Sequence, residues 1–300
     1  MFEDFASEIA EIPQAAKRFF ETPSVALPHD ADYVGMGASF NAALTLALLG
    51  EPIRAWSAED ARIKSTGPLV LISQSGKSAE TLALASNSQG VKREYVAITN
   101  DPTSPLALGA TQLVDLQAGP EKFLTSSKSY VNTLLALYRG LGHDIAPAVK
   151  ALNSLTGPWK DLSAQIAQEV LAIPKVPWVV LGGGANVATA MQGALTMMES
   201  TRHPVLASSY ASFDHGPKEA FAAGGVIFAL RDAGPTADRA DRVLRKLAGR
   251  KRVLIITLRQ EIDWARSPIT FSRQLNFITL ALCTRMNLSA SFIGGKVNEI

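Results

Sequence analysis

Cysteine is almost missing from this chain. Cys283 is the only one, which excludes a disulfide framework and a cysteine-built zinc site and points to the reducing cytoplasm. Long apolar runs are missing too: none approaches the roughly 20 residues that cross a bilayer. The first twenty residues, MFEDFASEIAEIPQAAKRFF, are amphipathic and begin acidic, without the basic head and apolar core of an export signal. No membrane partner is expected. Charge of one sign is also scarce, with 29 Lys and Arg against 27 Asp and Glu for a formal +2. The basic residues are scattered apart from Arg245-Lys246 and Arg250-Lys251-Arg252, which read as a solvated helix end rather than a nucleic-acid surface. Two nucleotide signatures fail on a single position each. Gly76-Lys77-Ser78 ends like a P-loop, but that loop needs a glycine at 71, where Leu71 stands. Gly182-x-Gly184 opens like a dinucleotide fingerprint, but Val187 stands where Gly or Ala is wanted. No cofactor is expected.

What is there is an apolar share of 47% over 300 residues, ample for buried cores and enough chain for two ordinary domains. Tyr33 to Gly35 ends a short strand in a small-residue turn, Gly37-Ala38-Ser39, and Phe40 to Leu49 reads as a helix. Leu69-Val70-Leu71-Ile72 reads as a buried strand passing through a Ser/Gly turn into a helix with apolar Ala79, Leu82, Ala83 and Ala85. Glu94 to Thr99 and Gln112 to Leu116 are further strands, and Ser127 to Leu141 is helical. Pro147 to Trp159, rich in turn formers, reads as a linker. The second half repeats the arrangement: strand 178–181 runs into three glycines and a helix from Asn186 to Glu199, with later strands at 226–230 and 253–257. Strands alternating with helices predict parallel, doubly wound sheets in a three-layer αβα architecture. Two tandem α/β domains are expected, over 1–150 and 151–300.

The turn after Leu69–Ile72 is rich in small donors: Ser73, Gln74, Ser75 and Ser78. A helix N-terminus with unpaired N–H groups stabilises an anion. The same serines can instead simply cap the helix. Ligands of open α/β sheets sit beyond the carboxyl ends of the strands, where both this turn and the Gly35 turn fall.

Four stretches in order, Gly37-Ala38-Ser39-Phe40, Ser73-Gln74-Ser75-Gly76-Lys77-Ser78-Ala79-Glu80-Thr81, Ala118-Gly119-Pro120-Glu121 with Thr125-Ser126-Ser127-Lys128, and Asp214-His215-Gly216-Pro217, resemble the sugar isomerase (SIS) domain family. More narrowly they resemble the double-SIS isomerase half of glucosamine-6-phosphate synthase and its stand-alone relatives, which include glucosamine-6-phosphate deaminases. The resemblance spans nearly the whole chain and implies two flavodoxin-like domains. It implies that Ser39, Ser73, Gln74, Ser75 and Ser78 bind the phosphate and sugar, with Ser126 near the sugar hydroxyls. It also implies a catalytic Glu199, a His215 sixteen residues later, and a Lys296 in Gly294-Gly295-Lys296-Val297 that reaches into the site. A homodimer with the site near the subunit interface is implied as well.

The chemistry accounts for these residue types. Moving a proton between carbons 1 and 2 of an open-chain sugar needs a carboxylate that takes it from one carbon and returns it to the other, a role for Glu199. Ring opening needs proton transfer by a group that titrates near neutrality, a role for His215. A lysine amine forms a Schiff base with a keto sugar, a role for Lys296. Each has a plain structural alternative: Glu199 as the cap of a surface turn, His215 as a loop hydrogen-bond partner, Lys296 as a tail residue.

The chain also departs from the pattern. Synthase-type sequences carry a lysine three residues before the catalytic glutamate, where Thr196 stands; Lys77 replaces an acidic residue; and Ser289 to Gly295 lacks a proline-containing approach to Lys296. The start, Met1-Phe2-Glu3, has no N-terminal cysteine nucleophile, so glutamine-dependent synthesis is not expected. The expected function is isomerisation of a hexose or amino-sugar 6-phosphate, with deamination of glucosamine 6-phosphate as one form. The competing expectation is a non-catalytic sugar-phosphate-binding regulator.

Overall fold

Short strands alternate with helices from one end of the chain to the other. The structure is a computed structural model that describes residues 2–61, 67–86, 92–259 and 262–288, without the side chain of Thr156. The elements are α1 (Phe2–Glu21), β1 (Ala31–Gly35), α2 (Ala38–Leu49), β2 (Ile53–Ser57), β3 (Leu69–Ile72), α3 (Ala79–Ala83), β4 (Val96–Thr99), α4 (Pro105–Gly109), β5 (Gln112–Asp115), α5 (Lys128–Gly140) and α6 (Ala146–Ser154). They continue with α7 (Thr156–Leu171), β6 (Trp178–Gly182), α8 (Asn186–Thr201), β7 (Val205–Ser209), α9 (Tyr210–Asp214), a 3-10 turn (Pro217–Phe221), β8 (Gly225–Arg231), α10 (Ala237–Leu247), β9 (Val253–Arg259) and α11 (Ser267–Met286).

Among the described residues the chain forms two compact units. Glu11–Lys122 with Ser126–Val149 makes one, and residues 2–10, 123–125 and 150–288 make the other. The first holds a five-stranded sheet in the order β2-β1-β3-β4-β5 and the second a four-stranded sheet in the order β7-β6-β8-β9. All strand pairings within these two sheets are parallel. In both, the first strand of the unit is flanked by the next two in sequence, so the strand order reverses beside it, and that reversal is where doubly wound sheets bind ligands.

Side-chain alternation shows why the second sheet is covered on both faces. Trp178 and Val180 of β6 pack with Val226, Phe228 and Leu230 of β8 against α7, α8 and α11. Their neighbours Val179, Leu181, Ile227 and Ala229 point the other way, onto Tyr210, Phe213, Ala240 and Val243. In the first sheet Val34, Leu69, Leu71 and Ala97 form one buried face with Tyr95 and Leu106, and Tyr33, Val70, Ile72 and Ile98 are buried on the other. Continuous apolar strands are what a sheet sandwiched between helices requires.

Two sequence expectations are corrected, and two strands are added to them. The stretch Pro147 to Trp159 is not a linker: α6 and α7 occupy it. Pro147 and Pro158 fall in the first turns of these helices, where the missing N–H would be unbonded anyway. The sequence also hides β2 and β7, the edge strand of each sheet beside the first strand. Both show one buried residue followed by four partly or fully exposed ones, because an edge strand pairs on one side only and carries a mixed sequence without a clean period. Finally, α3 is only five residues long, so its dipole is small and the serine turn must rely on its own hydroxyls and amides.

The junction of β6 and α8 is tight enough to test. A Cβ on Gly182 would lie 1.9 Å from the backbone oxygen of Asn186, and backbone cannot swing aside. Gly182→Ala is expected to destabilise the protein by about 1–3 kcal/mol. Gly157→Ala, at a helical position with nothing within 4 Å, is expected to be neutral or slightly stabilising. Calorimetric melting of the two variants beside wild type is the check.

Candidate functional site

The serine turn leaves β3 at Ile72 and is held by the chain that follows β4. Gly76 N–H donates to the Ser73 carbonyl, Asn100 N–H and the Thr99 hydroxyl donate to the Gln74 carbonyl, and Leu106 N–H donates to the Gly76 carbonyl. Gly76 sits at φ +64°, and a Cβ there would lie 2.0 Å from Ser104 Oγ; only glycine fits both the backbone and the space. Gly35 closes the other side. A Cβ on it would meet Ser39 Cβ at 2.6 Å and the Ile72 oxygen at 2.9 Å, so the start of α2 and the end of β3 converge there. Ser39 and Ser73 therefore both lie at the strand-order reversal of the first sheet.

Gln74 and Ser126 are joined by a residue to which the sequence assigned no role. Glu121 accepts from the Gln74 side-chain amide with Oε2. Its Oε1 accepts from Ser127 N–H at 2.9 Å, Ser127 Oγ at 3.1 Å and Ser129 N–H at 3.0 Å, and Oε2 also accepts from Ser129 Oγ. Ser129 Oγ lies 2.8 Å from Ser126 Oγ. Glu121 is thus both the cap of α5, satisfying its otherwise unpaired amides, and the latch between that helix and the serine turn. Its place in Ala118-Gly119-Pro120-Glu121 was the signal available in the sequence.

Ser75 and Ser78 are half-buried. Ser75 Oγ accepts from Lys77 N–H at 3.3 Å, and Ser78 Oγ donates to Glu80 at 3.1 Å. Lys77 reaches Asp101 at 3.5 Å and is more than half exposed.

The second unit carries Glu199 and His215. Glu199 lies in the C-terminal turn of α8. Burial pushes its carboxyl up to about 7, and a hydrogen bond with Thr125 pulls against that shift. Thr125 and its partner Ser200, 3.0 Å apart, are both buried. One turn earlier, Thr196 is buried and accepts from Gln192 at 3.3 Å, so the position that holds lysine in synthase-type sequences is here part of the packing. His215 follows α9, its backbone N–H closing the helix on the Ala211 and Ser212 carbonyls. Its ring is exposed and makes no hydrogen bond among the described residues. The neighbouring Asp214 is held by Lys246 and Lys218, which lower its carboxyl to about 2. Lys296 lies outside the described residues.

No group of acidic, histidine or cysteine side chains among the described residues could hold a metal ion, and no helix among them is long and apolar enough to cross a membrane.

The SIS domain model matches residues 28–139, from just before β1 to the end of α5. A glutamine–fructose-6-phosphate aminotransferase (isomerizing) of Pyrobaculum aerophilum is 30% identical over 263 residues, covering 78% of this chain and 42% of that protein. The chain spans less than half the length of this and the other leading curated relatives. Among solved structures, a glucosamine-6-phosphate deaminase of Thermotoga maritima superposes with a TM-score of 0.78 at 18% identity, covering 95% of this chain and 96% of that one. The C-terminal domain of a glucosamine-fructose-6-phosphate aminotransferase from Francisella tularensis gives 0.78 at 19% identity, covering 95% and 97%. The serine turn and the parallel sheet that carries it lie within residues 28–139, and the chain belongs to the SIS domain family.

Proposed function

We propose that this protein is a phosphosugar isomerase that moves a proton between carbons 1 and 2 of a hexose or amino-sugar 6-phosphate, with glucosamine 6-phosphate as the substrate of first choice. The observation that carries the reading is Glu199, a partly buried carboxyl whose pKa desolvation raises to about 7. A group with that pKa can both remove a proton and return it at physiological pH. The names of the relatives support the substrate class, since the aminotransferases act on fructose 6-phosphate and the Thermotoga protein on glucosamine 6-phosphate.

In this reading Ser39, Ser73, Ser75 and Ser78 hold the phosphate, with Gln74 fixed by Glu121 behind them and Ser126 facing sugar hydroxyls. His215 moves the proton between ring oxygen and anomeric hydroxyl when the ring opens. Glu199 then takes the carbon 2 proton and delivers one to carbon 1, turning the amino aldose into a carbon 2 imine. Water adds to that imine, and ammonia leaves to give fructose 6-phosphate. Lys296 serves as the amine that engages the keto sugar. The proposal has the protein working as a cytoplasmic homodimer, with His215 near the subunit interface.

Incubating the pure protein with glucosamine 6-phosphate should yield ammonia and fructose 6-phosphate in equal amounts. Binding without turnover of this or any hexose phosphate would favour the regulatory reading, for which the packed Thr196 is the supporting observation.

The phosphate assignment has its own test. Losing one hydroxyl donor to an anion costs on the order of 1.5–3 kcal/mol, so Ser75→Ala should weaken sugar-phosphate binding by about tenfold or more. Calorimetric titration reads the change, and equal affinity of wild type for phosphorylated and unphosphorylated sugar would refute the assignment.

A further inference from the structure

Thr125 stands in no assigned role, yet it is the side chain that touches the proposed base. It is fully buried, it hydrogen-bonds the Glu199 carboxyl, and its hydroxyl lies 3.0 Å from Ser200 Oγ. A hydroxyl has one proton to give. When Thr125 gives it to the carboxylate, the proton between the two hydroxyls must come from Ser200. The three groups then form a directed chain from Ser200 through Thr125 to Glu199, each bond polarising the next. Deeply buried hydroxyls with few rotamers make such a chain stiff. Ser200 is on α8 next to Glu199 itself, so the chain ties the carboxylate back to its own helix through a segment from elsewhere in the sequence.

We propose that Thr125 is a positioning residue for Glu199, fixing the carboxylate that shuttles the proton, and that Ser200 sets the direction of the Thr125 hydroxyl. The role in proton transfer rests on the reading of Glu199 as base; the hydroxyl relay itself does not. Other charges do not compete for the effect. The described elements most extensively packed on α8 are α11, β6 and β7, and the segment that bears Thr125 is flanked by Lys122 and Lys128, neither of which is a cause of the Glu199 shift. The ionisable side chains of those elements are Arg273, Cys283 and Arg285 on α11, with none on β6 or β7, and Arg202 and His203 follow α8. None of these is a cause of the Glu199 shift, which comes from burial opposed by Thr125.

The test titrates the Glu199 carboxyl directly in the full chain by infrared difference spectroscopy, with Glu199→Gln identifying its band. Thr125→Val keeps the shape and removes the donor, so the carboxyl midpoint should rise by about one unit. Thr125→Ser should restore the wild-type midpoint. Ser200→Ala should raise it by less, because Thr125 remains but loses its orientation. An unchanged midpoint in both Thr125→Val and Ser200→Ala would overturn the proposal, as would failure of Thr125→Ser to restore it. If Thr125→Val does not fold, Ser200→Ala alone decides. This readout needs no substrate, so the relay can stand even if no sugar phosphate is turned over. Where turnover is seen, the acidic limb of kcat/KM should move upward with the carboxyl midpoint in Thr125→Val; a uniform loss at every pH would mark the residue as merely structural.

Discussion

Glu199→Gln is expected to bind sugar phosphate as wild type does and to turn it over roughly a hundredfold to ten-thousandfold more slowly. The amide keeps the shape and the acceptor for Thr125 but cannot take a proton. Solvent deuterium should enter carbon 1 or carbon 2 during wild-type turnover and not with the variant. Exchange at the wild-type rate in the variant would move the base elsewhere, with Glu219, four residues past His215, the next carboxylate to examine.

The same substitution carries a stability signature of opposite sign. In the unfolded chain a glutamate carboxyl loses its proton near 4.5, whereas Glu199 in the folded protein holds it to about 7. Between these values the folded state binds the extra proton, so rising pH removes stability across that window. The variant, with nothing to ionise, should therefore be more stable than wild type at pH 8, by roughly 1–3 kcal/mol after relaxation is allowed for, and the gap should close below pH 4.5. Wild-type kcat/KM should conversely fall as pH drops through about 7, where the base form is lost. A residue that merely caps a turn would show neither effect.

Glu121→Ala should be the most damaging single change in the first unit. It removes the partner of Gln74, two serine hydroxyls and two backbone amides at once. Losing a helix cap costs about 1 kcal/mol, and each buried donor left unsatisfied adds about 1–3 kcal/mol, so a loss of about 2–4 kcal/mol is expected after partial rehydration. Because the latch also fixes the serine turn, sugar-phosphate affinity should drop at least tenfold at temperatures well below melting. Glu121→Gln separates the two effects. Its oxygen can still accept from the Ser127 and Ser129 amides, but its NH2 faces the NH2 of Gln74, so stability should largely return while affinity stays reduced. Denaturant melts and calorimetric titration on the pair are the measurements; equal affinity in Glu121→Ala and wild type would remove the latch from the site.

Periodicity alone revealed the central strands, because Leu69–Ile72 and Trp178–Leu181 are buried on both faces and must be apolar throughout. It revealed the turns at their ends, because serine and glycine are the residues that bend there without bulk. The order of short motifs then made the family recognisable and marked Glu199, His215 and the serine turn. The edge strands β2 and β7 escaped because an edge exposes most of its side chains and so erases its own period. The α6 and α7 helices escaped because proline and glycine signal a turn unless they fall in a helix's first turn, which local sequence does not reveal. Glu121 and Thr125 depended most on the fold. A carboxylate is a surface charge until a helix end and a glutamine converge on it, and a threonine is a packing residue until a carboxyl from 74 residues further along the chain is partly buried beside it. Only tertiary structure supplies that burial, and it is the burial, by withdrawing water from Glu199, that lifts its pKa to the range in which one group can take and return a proton.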